Sequence, residues 1–243
     1  MSRSLALVLA ACPCFQEPTP TLSTQAQAPG FRYESGHLPI GRVLRYHKSN
    51  RDGSHPSEIA LYVAGENTLE TLKWNPGEPT ATLVVAELDW AVCSVKSFHT
   101  YRIEDGERRP AAVLETSADR KRLVARVDGR ELAADIPKFP WHSYDFDFAS
   151  LNLALRFLLD PEGEVEFQII DPSFGPEGVA LVAKGAVFLS YAGADEHAGV
   201  SARRYTLDGP GLEERGGELW TTRGDDVWLL GFELDLPEDR KSV

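Results

Sequence analysis

The chain has only three cysteines in 243 residues, and it lacks the short motifs that mark common catalytic and metal sites. No C-x-x-C pair is present, which disfavours a zinc knuckle or a thioredoxin-type redox site. The six histidines form neither H-x-H nor H-E-x-x-H, so a helical metal-binding pair is absent. No G-x-S-x-G elbow or P-loop sequence occurs, and serine-hydrolase and nucleotide-phosphate chemistry therefore lack support. We predict no metal site and no cofactor.

Positive charge is also scarce. The 25 lysines and arginines are outnumbered by 37 aspartates and glutamates, which gives a formal net charge of −12. Nucleic-acid phosphates and anionic membrane surfaces attract basic patches, so this balance argues against both as partners. After the N-terminus, no apolar run reaches the roughly 18 to 20 residues that span a bilayer. We therefore expect the body of the chain to be soluble.

The N-terminus has the organisation of an export signal. Arg3 provides a positive end, residues 5–9 are apolar, and residues 9–12 read Leu-Ala-Ala-Cys. These four residues resemble the lipobox of bacterial lipoprotein signal peptides, in which the cysteine sulfur accepts a diacylglyceryl group. The resemblance implies that residues 1–11 are removed and that Cys12 becomes a lipid-anchored N-terminus. A plain secretory signal or a chance alanine-rich start are the alternatives.

This signal predicts a location in the bacterial cell envelope. Pro13 follows the cysteine, where the family's sorting rule for the inner membrane expects aspartate, so the outer membrane facing the periplasm is favoured. Residues 12–30 are rich in proline, threonine and glutamine and cannot bury enough surface to fold, which predicts a flexible tether. Cys14 and Cys93 could pair in an oxidising periplasm, but a buried free Cys93 and an incidental Cys14 are favoured.

Residues 31–243 read as a single β-rich domain. Alternating apolar and polar residues recur along most of this range, for example in IGRVLRYHK and EIALYVA. Asp-Gly pairs at 52–53, 105–106 and 128–129 separate such runs and predict tight hairpins, because glycine adopts the positive φ that these turns need. The expected fold is mainly β, a strongly curved antiparallel sheet of the half-barrel or sandwich-like type.

One segment departs from the β pattern. Residues 147–159 contain no β-branched side chain, and Asp145 or Asp147 is placed to cap a helix that ends at an Asp-Pro pair. Asn152 and Arg156 form a narrow polar stripe on an otherwise apolar helix. Such a helix must be covered on most sides, so we place it on the concave face of the sheet.

The order of these segments resembles the bacterial domain-of-unknown-function group DUF3108. The matching parts are HLPIGRVLRYHK at 37–48, an Asp-x-x-Ser opening at Asp147 and Ser150 before the helix, and a terminal strand pair containing Trp220. The resemblance implies an exported β-rich protein without a settled activity. By wider analogy such domains are similar to the half-barrels of the LolA and LolB lipoprotein carriers, which hold acyl chains under a helix; this analogy concerns the fold and not the function.

The segment 141–147, WHSYDFD, carries the densest group of polar and aromatic side chains. It predicts either the rim of an apolar ligand pocket or an acid–base pair, whereas a helix cap and ordinary core packing are the alternatives. The candidate pocket residues are Trp141, His142, Tyr144, Phe146, Phe148, Leu151 and Leu155. A second polar group at 195–197, Asp-Glu-His, has too few ligands for a metal and predicts a solvated loop tip.

Two functional hypotheses follow. The first is a non-enzymatic, lipid-anchored envelope protein that binds an apolar small molecule, a lipid or an envelope partner in the concavity of its sheet. The second is an envelope hydrolase or isomerase that uses His142 with Asp145 or Asp147 as its acid–base group. A purely structural surface module would have neither a cavity nor a site. The sequence carries no signal for the oligomeric state.

Overall fold

A computed structural model describes residues 28–176 and 178–235 of the chain. The predicted signal peptide, Cys12, Cys14 and most of the predicted tether lie outside the described residues. The last residues of that tether are packed: Ala28 is buried, and the Gly30 carbonyl accepts a hydrogen bond from the Leu159 backbone N–H at 2.9 Å. The folded domain therefore extends to at least Ala28.

The fold is mainly β, as predicted, and it is built from two sheets that are not closed. The first sheet is an antiparallel meander whose eight strands follow chain order: β1 (Val43–Lys48), β2 (Ser57–Val63), β3 (Thr68–Trp74), β4 (Thr80–Asp89), β5 (Ser94–Glu104), β6 (Glu107–Thr116), β7 (Arg122–Val127) and β8 (Arg130–Asp135).

The second sheet has six strands in the reverse order of the chain, from β14 to β9. Its strands are β9 (Trp141–His142), β10 (Glu164–Gly175), β11 (Gly178–His197), β12 (Val200–Asp208), β13 (Gly217–Thr222) and β14 (Leu229–Leu234). The short β9 runs parallel to β10, and every other pairing is antiparallel. The layered arrangement is therefore of the sandwich-like kind.

Local turn chemistry sets the hairpins of the first sheet. Asp105 and Gly106 join β5 to β6, and Asp128 and Gly129 join β7 to β8. All four residues have positive φ, between 49° and 77°, which is the conformation of a primed two-residue turn. The Asp-Gly prediction is confirmed at both positions. At 52–53 the predicted tight hairpin is not formed, because the longer segment 49–56 joins β1 to β2.

The segment between β8 and β10 lies inside the molecule and contacts both sheets. The Trp141 backbone N–H donates to Ser94 Oγ of β5 at 2.8 Å. Phe148 makes edge-on ring contacts with Phe167 of β10 and Phe232 of β14, with centroids 6.0 and 5.6 Å apart. Side chains from both sheets and from this segment form one hydrophobic core. The segment is thus the middle layer of the fold.

The helix in this segment is shorter than predicted. Helix α1 spans Ala149–Ala154 and continues as a single 3-10 turn, Leu155–Phe157. Asp147 and Phe148 have φ near 50°, a left-handed conformation that a right-handed helix cannot include, and no side chain caps α1. The prediction that Asp145 or Asp147 caps the helix is therefore wrong. All six residues of α1 are buried, which agrees with a helix that is apolar on most faces.

Asn152 and Arg156, the polar stripe of this helix region, contact residues at the edges of the two sheets. Asn152 Nδ2 donates to Tyr46 Oη of β1 at 2.8 Å, and Tyr46 Oη donates to the Leu229 carbonyl of β14 at 3.1 Å. Arg156 forms two hydrogen bonds with Asp226 Oδ1, at 2.6 and 2.7 Å, and stacks on the Trp228 ring at 4.1 Å. The edge strands β1 and β14 are therefore linked through side chains, although they do not pair.

Candidate functional site

His142 lies in the core and not at a surface. Its Nδ1 is 2.9 Å from Ser150 Oγ, its ring lies edge-on to Phe167, and its Nε2 has no hydrogen-bond partner among the described residues. Complete burial lowers the pKa of His142 to about 3, because the charged imidazolium would lose its hydration. The imidazole therefore stays neutral near pH 7 and is isolated from solvent protons.

Asp147 is bound by two lysines from the first sheet. Lys48 Nζ lies 2.7 Å from Asp147 Oδ1, and Lys73 Nζ lies 3.0 Å from Asp147 Oδ2. The Asp147 side chain is 4% exposed, whereas the two lysine side chains are 26% and 32% exposed. The carboxylate is thus enclosed, and the two cations reach it from the rim of the fold.

A second buried carboxylate lies on the other sheet. Asp171 Oδ1 accepts hydrogen bonds from Ser143 Oγ at 2.6 Å and from the Asp145 backbone N–H at 3.2 Å. Asp171 Oδ2 has no hydrogen bond among the described residues, but Lys184 Nζ lies within ion-pair distance of it at 3.4 Å. A register shift places Ala183 and Gly185 opposite adjacent residues of β10, so Lys184 occupies the bulge that turns it toward Asp171.

A third aspartate in this region, Asp145, is exposed to solvent. Its pKa is raised to about 6, first by desolvation and then by the Asp171 carboxylate, while Lys184, Lys73 and Lys48 oppose the shift. We call the three aspartates and three lysines the charged cluster: Asp145, Asp147, Asp171, Lys48, Lys73 and Lys184. Tyr144 adjoins it, with Lys48 Nζ 4.9 Å from the ring centroid, and desolvation followed by the Asp147 charge raises the pKa of the phenol to about 12.

The structure brings the predicted pocket residues together, but it packs them tightly. Six of them are at most 3% exposed: Trp141, His142, Phe146, Phe148, Leu151 and Leu155. Tyr144 is half-buried at the edge of the charged cluster. Two cavities, of about 250 and 230 Å³, lie elsewhere and are not lined by these seven residues. A ligand at the predicted position would have to displace packed side chains.

The predicted acid–base pair is not assembled. No contact joins His142 to Asp145 or Asp147 among the described residues, and burial alone shifts the pKa of His142. Four members of the charged cluster were not predicted from the sequence: Lys48, Lys73, Asp171 and Lys184. A signal for two of them was present, because Lys48 and Lys73 continue the inward-facing alternation of β1 and β3 at a position where a core residue is expected.

The Asp-Glu-His group at 195–197 lies in β11, where we had predicted a loop tip. His197 stacks on Trp220 with ring centroids 4.5 Å apart, and Trp220 Nε1 donates to Asp195 Oδ2 at 3.2 Å. In residues 28–176 and 178–235, no group of three or more His, Cys, Asp and Glu side chains is arranged to hold a metal ion. Asp195 and His197 therefore both contact Trp220 of β13 in the second sheet.

Cys93 is a buried free thiol, as favoured from the sequence. Its Sγ lies 3.5 Å from the Trp90 carbonyl, and burial, followed by the Asp89 charge, raises the pKa of the thiol to about 12. The thiolate that would be the reactive form is therefore suppressed.

Comparison with known proteins adds no relative: no protein family, no curated protein and no solved structure matches this chain. The resemblance to DUF3108 and the analogy with LolA and LolB remain predictions. Within the described part of the chain, no helix is both long and apolar enough to cross a membrane.

Proposed function

We propose that this chain is a lipid-anchored protein of the bacterial cell envelope, attached through Cys12, whose two-sheet domain binds a small apolar molecule or an envelope partner without catalysis. The proposal of a non-enzymatic role is supported by the environment of the two polar residues that were candidates for acid–base catalysis. His142 is enclosed and neutral, and Asp147 is held by Lys48 and Lys73. A side chain that is enclosed, as His142 is, or held in ion pairs, as Asp147 is, cannot readily exchange protons with a substrate.

The lipid anchor has a direct test. The full chain is expressed in a bacterium supplied with labelled palmitate, beside the variants Cys12→Ser and Cys14→Ser. Because only the lipobox cysteine is acylated, Cys12→Ser should lose the label and leave the membrane fraction, while Cys14→Ser should keep both. An unlabelled wild-type chain, or a Cys12→Ser chain that stays with the membrane, would contradict the anchor.

The envelope hydrolase or isomerase keeps one supporting observation, which is the raised pKa of the exposed Asp145. A carboxyl group with a pKa of about 6 is suited to proton transfer near neutral pH. This alternative requires Asp145→Asn to abolish turnover of chromogenic esters or glycosides, while substitution of an exposed aspartate elsewhere, Asp105→Asn, leaves it intact. Wild-type protein without turnover on such substrates would support the binding role.

A further inference from the structure

The larger of the two cavities lies where the ends of the sheets meet. It has a volume of about 250 Å³ and is formed by the hairpin of β7 and β8 and by the start of β11. Val127, Leu132 and Val179 supply apolar walls, and Asp128 and Arg130 stand beside them. We call this cavity the hairpin cleft. It combines an apolar surface with one cation and one anion.

Arg130 is the feature of the cleft that points to a ligand. Its guanidinium forms no ion pair and no side-chain hydrogen bond within the described ranges, whereas Arg122 and Arg126 of the adjacent β7 both pair with carboxylates. A Cβ added to Gly178 would lie 3.3 Å from Arg130 Nη1, so the arginine reaches across from the first sheet to the backbone of the second. An unpaired guanidinium beside an apolar wall can bind a carboxylate with two parallel hydrogen bonds.

An exposed phenylalanine extends the apolar wall beyond the cavity. Phe174 is 75% exposed and lies directly opposite Val179 across the hairpin of β10 and β11. Directly opposed residues of an antiparallel pair project to the same face of the sheet, so Phe174 stands on the face that lines the cleft. The exposed ring thus adds apolar surface next to the cleft that a bound apolar molecule would cover.

We propose that the hairpin cleft binds a small amphiphile with one carboxylate and a short apolar body, such as a medium-chain fatty acid. The carboxylate pairs with Arg130, and the apolar body lies against Val127, Leu132, Val179 and Phe174. The volume is just below the range of about 300 to 1,000 Å³ of typical ligand pockets, so the cleft holds one short chain and not a diacyl lipid. Asp128 at the rim disfavours a second negative charge, which selects a monoanion over a phosphate ester.

This inference rests on the proposed binding role and names its ligand class, but it does not depend on lipid anchoring. The test is calorimetric titration of the full chain with decanoate and with decanol below their aggregation limits. The chain carries Cys12→Ser, so that no attached acyl chain competes for the cleft. Decanoate should bind, and decanol should bind about tenfold more weakly, because decanol lacks the carboxylate that pairs with Arg130.

Two variants and a matched control assign the contacts. Arg130→Gln should weaken decanoate by about tenfold and leave decanol unchanged, and Val179→Trp should abolish both by filling the cavity. Arg45→Gln is the control, since Arg45 is also an exposed arginine of the first sheet with no ion pair among the described residues, and it should change neither ligand. Absence of decanoate binding, or equal binding by wild type and Arg130→Gln, would overturn the proposal while leaving the Cys12 acylation test unaffected.

Discussion

Replacing Asp147 by asparagine should destabilise the fold strongly. The substitution keeps the side-chain shape, and asparagine tolerates the left-handed backbone at this position, where φ is 49°. It removes the one negative charge that contacts both Lys48 and Lys73, at 2.7 and 3.0 Å. The two lysines then lose the carboxylate that both of them contact.

The size of the stability loss can be estimated from the burial of Asp147, Lys48 and Lys73. Loss of one partner from a fully buried ion pair costs about 3 to 5 kcal/mol. The two lysine side chains are 26% and 32% exposed and can recover part of their hydration, which moves the expected loss to the lower end. We expect the free energy of unfolding to fall by about 3 kcal/mol.

Urea denaturation at pH 7, followed by tryptophan fluorescence, measures this change. Adding Lys73→Met to Asp147→Asn should restore part of the stability, because the second substitution removes an unpaired cation. Asp145→Asn is the control: Asp145 makes no ion pair among the described residues, and its raised pKa shows that the folded state disfavours its charge relative to water. That control should therefore cause no loss. A loss below about 0.5 kcal/mol for Asp147→Asn, or a double variant less stable than Asp147→Asn, would refute the reasoning.

Three further predictions concern the core and the backbone. Because the pKa of His142 is about 3 in the folded state and near 6.5 in the unfolded state, the free energy of unfolding should decline as the pH drops from about 6.5 toward 3. The variant His142→Gln should lack this part of the pH dependence. Equal pH dependence in the two proteins would argue against a buried neutral imidazole. Leu151→Ala should cost about 2 to 5 kcal/mol in the same urea assay, against less than about 0.5 for the 52% exposed Leu159→Ala, and similar losses would show that the helix is not enclosed. Gly217→Ala should lower the melting temperature because the new Cβ would clash with the Glu233 carbonyl oxygen, whereas the Cβ of Gly175→Ala would meet no atom within 4 Å. Equal melting temperatures for the two variants would contradict this prediction.

The sequence was a good guide wherever structure depends on near neighbours. The alternation in β1 and β2 and the Asp-Gly turns at 105–106 and 128–129 are properties of a few adjacent residues, and both are confirmed. The apolar character of the 147–159 segment correctly indicated a covered helix. Its length was overestimated because Asp147 and Phe148 adopt a left-handed conformation before the helix and Leu158 is extended after it.

The site was less predictable for the same reason. The segment 141–147 was identified from its composition, but its aromatic residues are core and its polar residues are partners of remote side chains. Lys48 and Lys73 lie 99 and 74 positions from Asp147 in the chain, and no local pattern encodes which carboxylate a lysine will meet. The acid–base pair predicted from proximity in sequence is not formed, because His142 packs in the core against Ser150 and Phe167. Asp147 instead pairs with the lysines of the first sheet.

By itself, the sequence determined the β class, the hairpin positions, the buried helix and the lipobox resemblance, since each depends on residue type and short-range spacing. Only the tertiary structure decided that the strands divide into two open sheets, that His142 is enclosed and that a bulge turns Lys184 toward Asp171. It also decided that Arg130 lies beside an apolar cleft with no ion pair to another described residue. These features arise from contacts between residues far apart in the chain. The energies of such contacts depend on burial and distance, which exist only after the sheets have packed.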